Sequence, residues 1–175
     1  MRYQYVCLVC AMTFLSADAA EPPRASLQWR NEVIRTAREI WGLNAPVADF
    51  AGQLHQESGW APDALSPAGA QGMAQFMPAT AKWVSQLWKS MSAKNSCQRM
   101  AFTLSAYNGG KGWVNRDKKL AAAKGLDASI WFEHVERVNA GRSAANWREN
   151  RHYPKAILYQ HAPRYLQWGQ ASCIH

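Results

Sequence analysis

The apolar positions fall at helical spacing along most of the chain. In SLQWRNEVIRTAREIWG, Leu27, Val33, Ile34, Ala37, Ile40 and Trp41 line one face, with Ser26 as N-cap candidate and Gly42 as stop. In NAPVADFAGQLHQESG, Asn44 can cap and Pro46 suits a first turn. Val47, Phe50, Ala51 and Leu54 share a face, and three places further on Glu57 joins it in the last turn. The bland reading of Glu57 is a solvated charge at a helix end. Against it stands the dipole: a carboxylate at a helix C-terminus faces the negative end, where an inward position favours the protonated acid. The pattern therefore marks Glu57 as an acid placed for chemistry.

Residues 59–77 carry Gly59, Pro62, Pro67, Gly69 and Gly72, which predict a loop with a short hairpin around AQGMAQF. A helix is expected from Pro78 through ATAKWVSQLWKSM, and another from Cys97 to the Gly109–Gly110 pair. GWVNRDKKLAAAK and ASIWFEHVERV read as helices. WRENRHYPKAILYQHAPRYLQW reads as a helix interrupted at Pro154 and Pro163, each of which removes a backbone donor. With no strand series, repeat or linker, the expectation is a mainly α single domain.

The first twenty residues change the picture of where the chain works. Arg2, the apolar run YVCLVCAMTFL and the small residues Ala17 and Ala19 stand in the order of an export signal, so 1–20 is read as a signal peptide and 21–175 as the mature domain. A buried N-terminal helix is the alternative; a lipid anchor at Cys7 or Cys10 is set aside, because Val6 and Val9 stand where small residues are expected. Removal of the signal leaves Cys97 and Cys173, and two cysteines in an exported chain suggest one disulfide tying the tail to mid-chain. Arg2 and Asp18 cancel, so the mature chain keeps the net charge of +8. In an exported protein such a charge favours anionic wall polymer or a membrane surface ahead of nucleic acid.

Several site chemistries fail on the residues. There is no phosphate-binding glycine pattern and no G-x-S-x-G elbow, and HQE lacks the P-C-x-x-C that would complete a zinc site. His134, His152 and His161 lack metal-ligand spacing, so no metal or cofactor is expected. What remains is Glu57 and the loop after it. The run ES, then SPAGAQGMAQFMPATA, then AYNGG, then ENRHYPKAIL resembles the soluble lytic transglycosylases, which cleave bacterial peptidoglycan on a lysozyme-like α-helical fold. The resemblance spans roughly Ala48 to Leu158, with its motifs in family order.

The resemblance implies a lysozyme-like domain with a small loop or hairpin region beside the cleft. It implies Glu57 as the single catalytic acid and Ser58 as its structural partner. Ser66 matches the serine that contacts the acetamido group of the muramic sugar, and Gln75 and Met77 match residues lining the pocket. Tyr107 and Asn108 match the pair near the acid, and Glu149, Arg151 and Tyr153 the third motif, whose tyrosine faces the cleft. For Met77, Tyr107 and Tyr153 taken singly, core packing is the competing reading. The chain departs from the family pattern at Met73 and Ala74, at Gly110, at Asn150 and at Pro154. Pro154 is expected to loosen the helix that holds Tyr153.

With Asp63 the only other acid near Glu57 in sequence, and matching no acidic position of the family, a single-acid cleavage of the β-1,4 bond of peptidoglycan is implied, with a 1,6-anhydro product. The alternatives are a goose-type lysozyme hydrolase and a non-catalytic wall-binding module. A periplasmic or secreted monomer acting on glycan strands is expected, serving a conjugation, secretion or pilus apparatus, phage processes or general wall turnover.

Overall fold

The computed structural model describes residues 21–61 and 73–174, with the side chains of 73–76 left out. It is mainly α, as the lysozyme-like reading requires. In chain order the helices are α1 (Arg24–Leu27), α2 (Arg30–Trp41), α3 (Val47–Ser58), α4 (Met73–Ser90), α5 (Ser96–Gly109), α6 (Lys111–Ala123) and α7 (Ala144–Lys155). A 3-10 turn, Val135–Arg137, precedes α7; a π-helical stretch, Ala156–His161, and a 3-10 stretch, Ala162–Trp168, follow it. No helix among the described residues is long and apolar enough to cross a membrane.

Two helices run through the core. Every residue of α3 from Val47 to Leu54 is buried, and so is α5 from Met100 to Ala106. Burial on that scale is the main stabilising term of the fold. Helix α3 is clasped by the π and 3-10 stretches, and Gly52 is the point of closest approach. A Cβ there would sit 3.0 Å from the Ala162 nitrogen and 3.1 Å from the Ile157 oxygen, so any larger residue would push the layers apart.

The predicted boundaries shift where side chains supply alternative partners. The helix expected from Ser26 is broken after α1, because the Ser26 hydroxyl donates back to the Pro23 carbonyl at 2.7 Å instead of capping forward. Asn44 does not cap α3. Pro46 takes the N-cap place, and the C-terminal tail serves the first turn: Ala48 N–H donates to the Gln170 carbonyl at 3.0 Å. Helix α4 begins at Met73, so the hairpin expected around AQGMAQF is helical over 73–76, while 70–72 lie outside the described residues.

The largest correction is ASIWFEHVERV, which forms turns with only three residues of 3-10 helix. Gln98 Oε1 accepts the amides of Trp131 and Phe132 at 2.8 and 3.1 Å, and His134 Nδ1 accepts the Asp127 amide at 2.9 Å. Side chains thus take the amides a helix would use. The tail is covalently fixed by a disulfide between Cys97 at the start of α5 and Cys173.

Candidate active site

Glu57 stands at the end of α3, half-buried, one residue before the helix stops. The stop is built in two steps. Gly59 adopts the left-handed conformation at φ 57° and its N–H donates to the His55 carbonyl at 2.9 Å. Trp60 follows at φ 67°, a strained value for a residue with a Cβ. Its indole is fully buried and donates through Nε1 to the Tyr165 hydroxyl at 2.6 Å, so burial of the ring offsets the local strain. Ser58 braces the same turn: its hydroxyl donates to the Leu54 carbonyl at 2.8 Å and accepts the Trp60 amide at 3.0 Å. The serine of the E-S pair therefore shapes the backbone that presents the acid.

Two tyrosines from distant parts of the chain face Glu57. The Tyr153 hydroxyl, from α7, donates to Glu57 Oε1. It also accepts from Gln53 Nε2, one turn back on α3, at 3.3 Å. Burial, followed by the neighbouring Glu57 carboxylate, pushes the Tyr153 phenol well above its usual range, so it stays a neutral donor. Tyr107, from α5, stacks on Tyr153 with ring centroids 6.3 Å apart and planes 10° from parallel. Burial foremost raises its phenol, and Thr80 hydrogen-bonds it.

Tyr153 is held firmly despite Pro154. It is 6% exposed, and α7 continues through Pro154 before widening into the π-helical stretch. The missing Pro154 donor is absorbed by that change of helix type, not by release of the tyrosine.

A buried polar network fixes the α5 to α7 contact beside the tyrosines. Asn150, 1% exposed, receives the Ser105 hydroxyl at 2.8 Å and donates to the Ser105 carbonyl at 2.9 Å and to Asn108 Oδ1 at 3.0 Å. Arg151 Nη1 donates to the same Asn150 oxygen at 2.8 Å. Asp117, fully buried on α6, pairs with both Arg142 and Arg151 and accepts the Ala140 amide at 2.9 Å. A charge buried this deeply is tolerated because its oxygens are partnered. Asn150 is thus a working joint between helices, and Asn108 spends its side chain on that joint and on Glu149, to which it donates at 3.2 Å. Beyond Asn108 lies a groove of about 390 Å³ lined by Trp113, Arg142, Asn146 and Glu149 among others.

The remaining sequence candidates divide. Met77 is 3% exposed and packs in the core behind the site. Gln75 lies on the first turn of α4, and nothing is described of its side chain; Ser66 and Asp63 lie outside the described residues. Gln53, Trp60 and Thr80 were not singled out from the sequence; alternation of apolar and polar positions carries no signal for a buried glutamine that backs a tyrosine 100 residues away. Behind α3, His55 and His161 face each other with ring centroids 4.2 Å apart, and burial foremost holds His161 down at about 4. Among the described residues no group of three or more His, Cys, Asp or Glu could hold a metal ion.

The Transglycosylase SLT domain model matches residues 50–98. The chain is 34% identical over 102 residues to the membrane-bound lytic murein transglycosylase F of Shewanella pealeana (strain ATCC 700345 / ANG-SQ1), covering 47% of this chain and 21% of that protein. It is 35% identical over 107 residues to the protein of the same name from Shewanella sediminis (strain HAW-EB3), covering 50% and 22%. Against the one from Shewanella sp. (strain ANA-3) it is 29% identical over 132 residues, covering 62% and 27%. The chain thus spans only about a fifth to a quarter of the length of these relatives. The matched family segment contains Glu57 and Ser58, while Tyr107 and Tyr153 are brought to it by the fold. Through that segment the chain is similar to the lytic transglycosylases.

Proposed function

We propose that this chain cleaves peptidoglycan as a lytic transglycosylase, using Glu57 as both acid and base. The observation that carries the reading is a half-buried carboxyl at a braced helix end, touched by a neutral phenol. The other described acids on α3, α6 and α7 are committed elsewhere. Asp49 accepts the Ser172 amide, Asp117 is bound by two arginines, and Glu149 receives Asn108. A two-carboxylate hydrolysis therefore has no second carboxyl on those helices, which favours chemistry in which the substrate supplies the nucleophile.

The steps balance as follows. Protonated Glu57 gives its proton to the oxygen of the β-1,4 bond between N-acetylmuramic acid and N-acetylglucosamine, and the C1–O bond breaks. The oxygen of the muramic 2-acetamido group bonds to C1, forming an oxazolinium. The Glu57 carboxylate then takes the proton of the C6 hydroxyl, O6 bonds to C1, and the acetamido oxygen leaves. The product is 1,6-anhydromuramic acid, and Glu57 is protonated again without water. Tyr153 holds the Glu57 oxygen in place through both transfers. By the family resemblance, Ser66 would orient the acetamido group, and Gln75 with Tyr107 would position the sugars.

Mass spectrometry of digested sacculi tests the reading. Anhydromuramic ends are expected; reducing muramic ends would replace it with the goose-type hydrolase, and no released fragments with a wall-binding module. The proposed setting is the exported side of the cell, where a +8 chain meets anionic wall polymer during local wall opening for conjugation, secretion, pili or phage.

A further inference from the structure

Trp83 on α4 is 50% exposed, a large apolar side chain left in solvent. Helix packing does not require it: Ala81, Val84 and Leu87 supply the core face of α4, while Lys82 and Gln86 share the exposed side with Trp83. Its position is not isolated. The indole lies 4.7 Å from the Tyr107 ring at an interplanar angle of 46°. Tyr107 stacks on Tyr153, and Tyr153 donates to Glu57. Three rings from three helices thus form a row that starts at the acid and ends in solvent at Trp83.

An exposed apolar ring continuous with the tyrosines that reach the acid is placed to meet a ligand. The ligand under the proposed function is a glycan strand, and a pyranose ring offers an apolar C–H face that fits flat on an indole, with hydroxyls at its rim for polar neighbours. We propose that Trp83 is a stacking platform for a sugar of the strand remote from the bond that Glu57 cleaves, so that it sets strand affinity and length preference. This rests on the glycan-cleaving function proposed above. Trp83 is then a specificity residue that acts through strand binding, with no part in the proton transfers.

The test is a kinetic split with a binding arm. Trp83→Ala is expected to raise KM for long glycan strands about 10-fold with kcat little changed, the signature of lost uniform binding. Fragments too short to reach Trp83 should show no difference from the parent. Trp83→Phe should keep most of the affinity, and Trp83→Leu should behave like the alanine variant, because bulk without a ring cannot stack. In a Glu57→Gln background, Trp83→Ala should release protein from insoluble sacculi. An unchanged KM on long strands together with unchanged sacculus retention overturns the proposal. So does a joint fall of kcat and thermal midpoint with KM constant, which would make Trp83 a packing partner of Tyr107 alone. A parent protein that releases no glycan fragments would defeat the proposed cleavage instead, while the retention arm still decides the role of Trp83.

Discussion

Helix α3 carries a carboxyl near each end, and the two differ in almost every respect. Asp49, in the first turn, is 2% exposed, lies at the favourable end of the dipole and accepts the Ser172 amide at 2.9 Å. Burial nevertheless pushes it up to about 7. Glu57, in the last turn, is half-buried at the unfavourable end and is touched by the Tyr153 phenol. Asp49, with its displaced titration, is a structural acid. A displaced titration alone does not identify a functional group; open access and a partner that holds the carboxyl without enclosing it do. Groove size misleads in the same way. The larger groove, about 740 Å³, flanks the Asp49 end, and its lining from Trp41 and Trp88 to Gln170 and Ile174 includes no carboxylate or histidine.

The sharpest break of this comparison is Glu57→Gln. Turnover should fall by about 10³-fold or more, the order that loss of a general acid commands, with sacculus retention and thermal midpoint near the parent's. Retained muralytic activity would remove Glu57 from the mechanism.

Next in size is the tail that latches the Asp49 end. Replacing Cys97 and Cys173 by serine should cost about 4 kcal/mol in urea unfolding, given a sequence separation of 76. The tail delivers Gln170 and Ser172 to the first turn of α3, so stability should suffer before kcat does. A variant that loses kcat while its urea midpoint stays put would couple the two ends of α3 more tightly than the geometry does.

Tyr153→Phe acts at the other end. Losing a hydrogen bond to a charged group corresponds to about 10- to 100-fold in kcat, with KM little changed. Gln53 loses its acceptor as well, worth about 1 kcal/mol of stability. An unaltered kcat would mean that Tyr153 merely packs against the acid.

The smallest effect isolates Asp49. Its folded value is raised, so the folded state keeps a proton that the unfolded chain releases between its ordinary 3.8 and about 7. Its contribution to stability is fully present below that window and is lost as pH rises through it, by at most about 1.4 kcal/mol per pH unit. His161, held low, works in the opposite direction: its contribution is present above 6.5 and is lost as pH falls toward about 4. The two partly cancel in the parent, so the difference between parent and Asp49→Asn is the informative curve. The variant should match or exceed the parent by about 1 kcal/mol at pH 8, short of the full shift because its amide nitrogen finds no acceptor. A parallel pair of curves would show that Asp49 does not titrate in the window.

Much of this was legible in the residues, unevenly. The inward face of Val47, Phe50, Ala51 and Leu54 and the place of Glu57 at its end follow from a periodicity of 3.6, which is local. The Gly109–Gly110 end of α5 was readable for the same reason. The segment 128–138 was not, because its amides are claimed by Gln98, some 33 residues earlier in the chain. The effect of Pro154 was misjudged likewise: sequence says what a proline removes, and only the π-helical stretch shows how the loss is absorbed.

What the sequence determined by itself is the helical character, the acid at the wrong end of a dipole and the motif order around it. All of these are written in near neighbours, where backbone geometry alone sets the spacing. What tertiary structure decided is which phenol reaches that acid, which carboxyls are occupied elsewhere, and where the row of rings leads. Tyr153 and Glu57 are 96 residues apart, and no local rule brings them together. They meet because α3 is clasped at Gly52, Trp60 is anchored beneath the turn, and Asp117 and Asn150 lock α7 in place. Such contacts are set by shape and by the need to partner every buried polar group, and those are properties of the packed whole.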